Sequence, residues 1–280
     1  MDGTLLDTHT TIPQENVEAI LHLQNLGIPF IICTGRTWEE ANVVLKPAGI
    51  KCPIIAMNGA DTYDIDGTLL YRIALDKKQV TLILEQAEKE NLYVELTTSD
   101  GVYTTNAKRR GEQFLKTHKQ LHPEKTEQEL QEALEQFLTL LATKKTASFS
   151  ALLANPTIDV LKILISDPAG QEKFIKLKQF IHEQIPEFVI TSSYFDNIEI
   201  THHHAQKGIA LAAYAKKNNW DMQHVVAVGD NHNDISMLEL AGHSYAMGNA
   251  DEVVKQIAKH TTTKNTEAGV AKMIYHYFPK

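Results

Sequence analysis

The 280 residues are 43% hydrophobic and 22% charged, enough for one large or two medium globular domains with a sizeable core. A formal net charge of −8 argues against a nucleic-acid-binding surface, which is usually basic, and no apolar run approaches the ~20 residues of a membrane-spanning helix. Cys33 and Cys52, the only cysteines, sit beside apolar residues and read as buried free thiols; with no signal peptide after Met1, the expected compartment is the cytoplasm.

In chain order, a loop rich in Thr, Asp and Gly (Met1–Pro13) precedes a helix predicted over Gln14–Asn25, with Val17, Ile20, Leu21 and Leu23 inward and Gly27 as its stop. Ile28–Cys33 reads as a strand ending in Thr34-Gly35-Arg36, a helix starts near Trp38, and Pro53–Met57 is a strand ending at Asn58-Gly59. Helix alternating with apolar strand predicts a parallel sheet with crossover helices. From Ala60 the texture changes. Tyr63–Ile73 reads as a hairpin around Asp66-Gly67, followed by a helix over Lys77–Asn91 and strands at Leu92–Leu96 and Val102–Thr105. Ala107–Lys125 is a polar stretch. Thr126 and Glu129 form a capping box opening a helix whose face carries Leu130, Leu134, Phe137, Leu138 and Leu141. Strand Val160–Ile165, helix Gln171–Gln184 and strand Phe188–Thr191 complete an α+β segment. The strand–helix rhythm returns from about Tyr194, with strand Asn197–Ile200, a helix from Lys207 to Asn218, the strand leading to Asp230, a final strand Ser244–Met247 and a terminal helix from Asp251.

The chemistry concentrates in VVAVGDNHND, Val225–Asp234. A β-branched strand stops at Gly229 and opens onto Asp230, Asn231, Asn233 and Asp234, at the strand end where open α/β sheets place ligands. Two carboxylates four residues apart, with amides beside them, suit a hard cation such as Mg²⁺. The plainer reading is a solvated turn with an Asp or Asn cap. Asp2-Gly3-Thr4, Thr34-Gly35-Arg36 and Lys207 supply matching parts for phosphoryl transfer: carboxylate, phosphate hydroxyl and cation.

The order and spacing of Met1–Leu6, Thr34, Lys207 and Gly229–Asp234 resemble the four motifs of the haloacid dehalogenase superfamily of phosphatases. Asn58-Gly59 and the inserted segment resemble its Cof-type branch. The resemblance implies an α/β fold: a Rossmann-like parallel-sheet core at 1–77 and 189–280, with an α+β cap domain at 78–188. It implies a Mg²⁺-dependent phosphatase acting on small phosphorylated metabolites through an aspartyl phosphate, as a monomer or homodimer. Asp2 would be the general acid and its backbone carbonyl a Mg²⁺ ligand. Thr34 and Gly35 would donate to the phosphoryl oxygens, Lys207 would neutralise their charge, and Asp230 and Asp234 would bind the metal or its waters. Asn58, Gly59, Asn233 and Arg36 would surround the phosphate.

Each of these has a plainer alternative. Thr34 alone is an ordinary helix cap, Lys207 a solvated lysine, Arg36 a surface ion-pair partner. Three consecutive histidines, His202–His204, cannot easily converge on one metal. Asp64–Leu70 (DIDGTLL) repeats the first family motif in full, yet the residues ahead of it are polar, and it reads as a hairpin turn. The family nucleophile would stand two positions before Asp2, ahead of Met1, as would its strand. The expectation is therefore an upstream start, with the chain as given nearly inactive; a non-catalytic Mg²⁺- and phosphometabolite-binding module and a phosphomutase are the alternatives.

Overall fold

The computed structural model describes residues 1–7, 11–141, 143–192 and 195–280, without the side chains of 120, 121 and 136–141. These fall into two compact units, Met1–Ile73 with His204–Lys280, and Ala74–His203.

The first unit begins with a turn in which the Met1 carbonyl accepts from the amides of Leu5 and Leu6 at 2.9 and 3.1 Å. Helix α1 (Gln14–Asn25) buries Val17, Ala19, Ile20 and Leu23. Gly27, at φ +72°, reverses the chain so that the Ile28 amide donates back to Leu23. Strand β1 is Ile32–Cys33, shorter than the predicted Ile28–Cys33, because only these two residues register with Ile54 and Ile55. Helix α2 (Trp38–Leu45) starts on a Thr37–Glu40 capping box. Strand β2 (Ile54–Ala56) runs parallel to β1. Strands β3 (Asp61–Tyr63) and β4 (Leu69–Arg72) add to it in antiparallel fashion, giving the order β1-β2-β3-β4.

The second unit opens with α3 (Lys77–Lys89), capped by Asp76 and burying Val80, Ile83 and Ala87. Strands β5 (Tyr93–Thr98) and β6 (Gly101–Thr104) form a hairpin. The polar stretch that follows is helix α4 (Ala107–Leu121), capped by Asn106. Its inward contacts are themselves polar: Gln113 bonds Ser166, and Thr117 donates to Asp196 at 2.8 Å. A helix whose buried face is polar lacks the apolar period that reveals a helix in sequence. Helix α5 (Glu127–Leu141) opens on the expected Thr126–Glu129 box and buries Leu130; the side chains of Phe137, Leu138 and Leu141 lie outside the described residues. Then come β7 (Lys144–Lys145), α6 (Phe149–Ala154), β8 (Val160–Ser166), α7 (Ile175–Gln184), β9 (Phe188–Thr191) and β10 (Asn197–His202). The sheet order is β7-β6-β5-β8-β10-β9.

This unit is wider than the predicted 78–188. Strand β10, assigned from sequence to the parallel core, pairs antiparallel with β8 and β9. Ile198 and Ile200 enter the same apolar cluster as Ile163, Ile165 and Phe174. Alternating apolar residues fit either sheet, so the pattern did not say which one takes them. Tyr194, where the return was placed, lies outside the described residues.

The chain re-enters the first unit with α8 (Lys207–Lys217), β11 (Val226–Gly229), α9 (Ile235–Leu240) and β12 (His243–Ala246). It ends with α10 (Glu252–Ile257), β13 (His260–Thr261) and α11 (Gly269–Tyr277). Strands β11-β12-β13 are all parallel. Strand β13 and a second terminal helix go beyond the expected final strand and single helix; β13 is two residues long, too short to show a period. Strands β1 and β11 each stand at the end of their sheet, and both line a cavity of about 500 Å³ walled by Ile31, Ile32, Val226 and Val228. The chain is an α/β protein with a Rossmann-like first unit and an α+β second unit.

Candidate active site

The motif residues Asp2, Thr34, Asn58, Lys207, Asp230 and Asp234 all lie in the first unit, Lys207 as the first residue of α8 and the others in turns and loops outside the strands. Asp230 follows β11 directly, Thr34 follows β1, and Asn58 follows β2. Two networks of contacts hold them.

The first is built on β1 and β2. Thr34 is 1% exposed; its amide donates to Ile55 at 2.8 Å and its hydroxyl accepts from the Arg36 amide at 3.1 Å. The Thr34 carbonyl accepts from Asn58 N–H, and the Arg36 carbonyl from Met57 N–H, both at 2.9 Å. Met57 and Asn58 are left-handed, at φ +49° and +57°, and Gly59 follows at +105°. Strained backbone of this kind costs on the order of 1–3 kcal/mol per residue and persists only where the surroundings enforce it. What it achieves is to turn the Asn58 side chain back, so that its Oδ1 accepts from Asn233 Nδ2 at 3.0 Å. Gly35 passes beside Asn58. Gly59 runs against the backbone of Gln206, where a Cβ would stand 2.5 Å from a carbonyl oxygen. The Arg36 guanidinium grips Asp2 with two bonds, Nε to Oδ2 at 2.9 Å and Nη2 to Oδ1 at 2.5 Å. Of its two sequence readings, phosphate contact and ion pair, the structure displays the ion pair.

The second network is built on β11 and α8. Lys207 is buried, and its Nζ donates to Asp234 Oδ1 at 2.7 Å. The other oxygen of Asp234 accepts the backbone N–H groups of Asp230 and Asn231 at 3.0 and 3.1 Å. Asp234 thus faces three donors and fixes both the lysine and the turn that carries Asp230. Burial is the strongest influence on its carboxyl and would raise it, but the charge and hydrogen bond of Lys207, the chain's amino terminus and the Asn231 amide together hold it below the usual carboxylate range. Asp230 differs. Its burial pushes its carboxyl above the usual range, against the pull of the Thr4 hydroxyl, which donates to Oδ1 at 2.5 Å. Gly3, at φ +65°, lets the first loop press onto Asp230: a Cβ there would lie 2.2 Å from Oδ2. The two networks join through the chain itself, at Asp2–Thr4 and at Asn233–Asp234.

Cys33 stands at the end of β1 within the electrostatic reach of Lys207 and Asp234, and burial pushes its thiol up to about 12. Of the three histidines, His202 and His203 stack with ring centroids 4.6 Å apart, and His203 Nδ1 lies 2.8 Å from the Glu187 carbonyl oxygen. Among the described residues no three His, Cys, Asp or Glu side chains group as a metal cage. A magnesium ion does not need one: it is held by one or two carboxylates together with water and phosphate oxygens. Asp230 fits that role, because an ionised carboxylate under-compensated by its surroundings is what a divalent cation stabilises.

Sequence reasoning missed Thr4 as a partner of Asp230, and Asn249 and Asn265, which bind the carbonyls of the first loop. Asn249 lies just beyond β12, at the carboxyl end of a parallel strand, and that position is the signal that would have flagged it.

Comparison with known proteins agrees with this geometry. The profile of the haloacid dehalogenase-like hydrolases matches residues 1–274. The chain is 34% identical over 278 residues to "Phosphatase YwpJ" of Bacillus subtilis (strain 168), covering 99% of this chain and 97% of that protein. It is 28% identical over 283 residues to "Pyridoxal phosphate phosphatase YbhA" of Escherichia coli (strain K12), covering 99% and 96%. A solved haloacid dehalogenase-like hydrolase from B. subtilis superposes with a TM-score of 0.80 at 35% identity, over 98% of this chain and 96% of that one. The buried Lys207–Asp234 pair, the Thr34 strand end and the Asp230 turn therefore stand in a member of the haloacid dehalogenase-like hydrolase family.

Proposed function

We propose that the chain serves as a Mg²⁺-dependent phosphatase of small phosphorylated metabolites, working through an aspartyl phosphate. The observation that carries this reading is the Lys207–Asp234–Asp230 network: a buried ammonium and a half-buried, under-compensated carboxylate held at one strand end. The names of the relatives supply the class of reaction, and that of YbhA an example of a phosphorylated cofactor as substrate.

Asp230 and the Asp2 carbonyl would hold Mg²⁺, which when bound would draw charge from the phosphoryl oxygens. Asp234 orients Asp230 through its backbone amide and would bind the metal or its waters. Lys207 places positive charge in a buried setting, where it stabilises developing negative charge better than in water. Thr34, Gly35, Asn58 and Asn233 would take the phosphoryl oxygens, and Gly59 lets that loop close on α8. Asp2, aligned by Arg36, would protonate the leaving oxygen. The cavity beside β1 and β11 supports a further strand there, carrying the nucleophilic carboxylate ahead of Met1. The second unit, which carries none of these residues, would choose the leaving group.

The experiment compares the chain as given with a form extended by an apolar strand ending in Asp, using p-nitrophenyl phosphate with and without Mg²⁺, and Asp230→Asn in both. The reading expects Mg²⁺-dependent turnover by the extended form, little by the chain as given, and weaker Mg²⁺ binding by Asp230→Asn in calorimetry. Equal Mg²⁺ affinities with and without Asp230→Asn would contradict the metal site. Metal binding without turnover by either form would favour a binding module.

A further inference from the structure

We infer that Asn249 and Asn265 are positioning residues for the site, acting through the backbone carbonyls of the first loop. This rests on the metal-dependent reading above. The loop Asp2–Asp7 is not in a strand or a helix, yet it delivers two groups to the site: Asp2 to Arg36 and Thr4 to Asp230. Short loops without a ladder need other partners for their carbonyls. Here asparagine amides supply them. Asn249 Nδ2 donates to the Gly3 carbonyl at 2.8 Å. Asn265 Nδ2 donates to the Leu6 carbonyl at 2.8 Å and more distantly to that of Asp7 at 3.3 Å. The two asparagines are joined, since Asn249 Oδ1 accepts the Asn265 backbone N–H at 2.9 Å. From the other side, fully buried Asn16 holds the Leu5 carbonyl at 3.1 Å and anchors on the Ala271 amide at 2.9 Å.

The Gly3 carbonyl is the sensitive point. Gly3 has left-handed backbone and no side chain to lock it, so the torsions on either side of it decide where the Asp2 carbonyl and the Thr4 hydroxyl point. Holding the Gly3–Thr4 peptide plane from Asn249 fixes the start of Thr4 and narrows the torsions through which Gly3 can swing the Asp2 carbonyl. Asn249 itself is exposed and its amide is spent on this one carbonyl and on Asn265, so it adds little to the core. A residue placed this way tunes the site more than it stabilises the fold.

The test measures Mg²⁺ affinity by calorimetry, thermal stability, and hydrogen exchange of the peptide containing Met1–Asp7, in the parent chain, Asn249→Ala, Asn265→Ala and Asp230→Asn. Losing one hydrogen bond that orders the loop should weaken Mg²⁺ about three- to tenfold. The Leu5 and Leu6 amides should exchange faster, with the melting temperature of Asn249→Ala nearly unchanged. Faster exchange or lower stability with Mg²⁺ affinity intact in both asparagine variants would reduce the pair to a structural role and overturn the inference. If Asp230→Asn leaves Mg²⁺ affinity unaltered, the metal reading fails first and the inference falls with it. Asn265→Ala keeps the test informative should Asn249→Ala not fold.

Discussion

Lys207→Met probes the site at its most buried point. The change keeps the length and apolar stem of the side chain and deletes the ammonium. Lys207 is 3% exposed and Asp234 also 3%, so water cannot replace the lost partner. Asp234 would keep two backbone donors but no cation. Removing one member of a buried ion pair costs about 3–5 kcal/mol, a large part of the ~5–15 kcal/mol that keeps a typical domain folded. In urea, with an m-value of ~1–3 kcal/mol/M, the midpoint should fall by roughly 1 M or more at pH 7. The sign of the pH dependence is a second check. In the parent chain Asp234 is held below its ordinary range, so its contribution is present above the unfolded value and fades as pH drops through the folded one. Without Lys207 the foremost opponent of burial is gone, and the carboxyl rises relative to the parent. A raised carboxyl binds its proton more tightly in the folded state, so the variant's deficit should shrink as pH falls from neutral. The double variant Lys207→Met, Asp234→Asn should recover part of the loss, since it leaves no bare charge. A Lys207→Met variant within ~0.5 kcal/mol of the parent at pH 7, the range of an ordinary surface change, would refute the reasoning. So would a deficit that widens on acidification.

Gly59→Ala combines a backbone at φ +105° with a Cβ 2.5 Å from the Gln206 carbonyl oxygen, so a loss of at least about 1–3 kcal/mol in urea unfolding is expected. Gly27→Ala meets nothing within 4 Å and should cost less, about 1–2 kcal/mol from its backbone alone. Cys52 is buried as expected and Cys33 only half-buried, yet burial pushes both thiols up to about 12, so iodoacetamide should label both slowly in the native protein and fast in urea; rapid native labelling of Cys52 would contradict its buried setting. Exchanging Ala74–His203 for the corresponding unit of another family member should change the preferred phosphate ester while keeping the metal requirement, and an unchanged substrate profile would count against the role proposed for that unit.

Much of the first unit was legible because its elements obey one rule each. Gln14–Asn25 has a helical apolar stripe and a glycine stop, and Val226–Gly229 is β-branched and ends where its ladder ends. The residues grouped by motif are also brought together, because β1 and β11 stand at the ends of two different sheets, line one cavity, and carry Thr34 and Asp230 just past their carboxyl ends. The failures have different causes. Helix α4 hides because it docks through Gln113 and Thr117 rather than through leucines. Strand β10 is recognisable as a strand, but nothing local says whether its Ile198 and Ile200 join a parallel or an antiparallel sheet. Asn265 is invisible to pattern reading because its work is done on backbone carbonyls, and Asn249 is betrayed only by its place just past a strand end.

The repeated motif makes the same point from the opposite side. Asp2-Gly3-Thr4-Leu5-Leu6 and Asp66-Gly67-Thr68-Leu69-Leu70 are the same five residues, and their glycines are both left-handed, at φ +65° and +85°. Local chemistry therefore gives both a tight turn. Their surroundings separate them. Gly67 closes the hairpin between β3 and β4, and a Cβ there would meet the ring of Trp38; Asp66 is spent on the Thr68 amide at 2.9 Å. Asp64, where the longer motif begins, accepts from the Tyr214 hydroxyl at 3.1 Å and so pins the hairpin to α8. Gly3 instead faces the carboxylate of Asp230, and Thr4 bonds that same carboxylate. One copy is used to hold the hairpin and the other to build a site, because only one arrives beside the end of β11. Asp64→Asn should therefore leave Mg²⁺ affinity untouched and alter stability by no more than about 1 kcal/mol, the worth of one hydrogen bond. A loss of Mg²⁺ binding on that substitution would move the site to the second copy and undo the assignment made for Asp2.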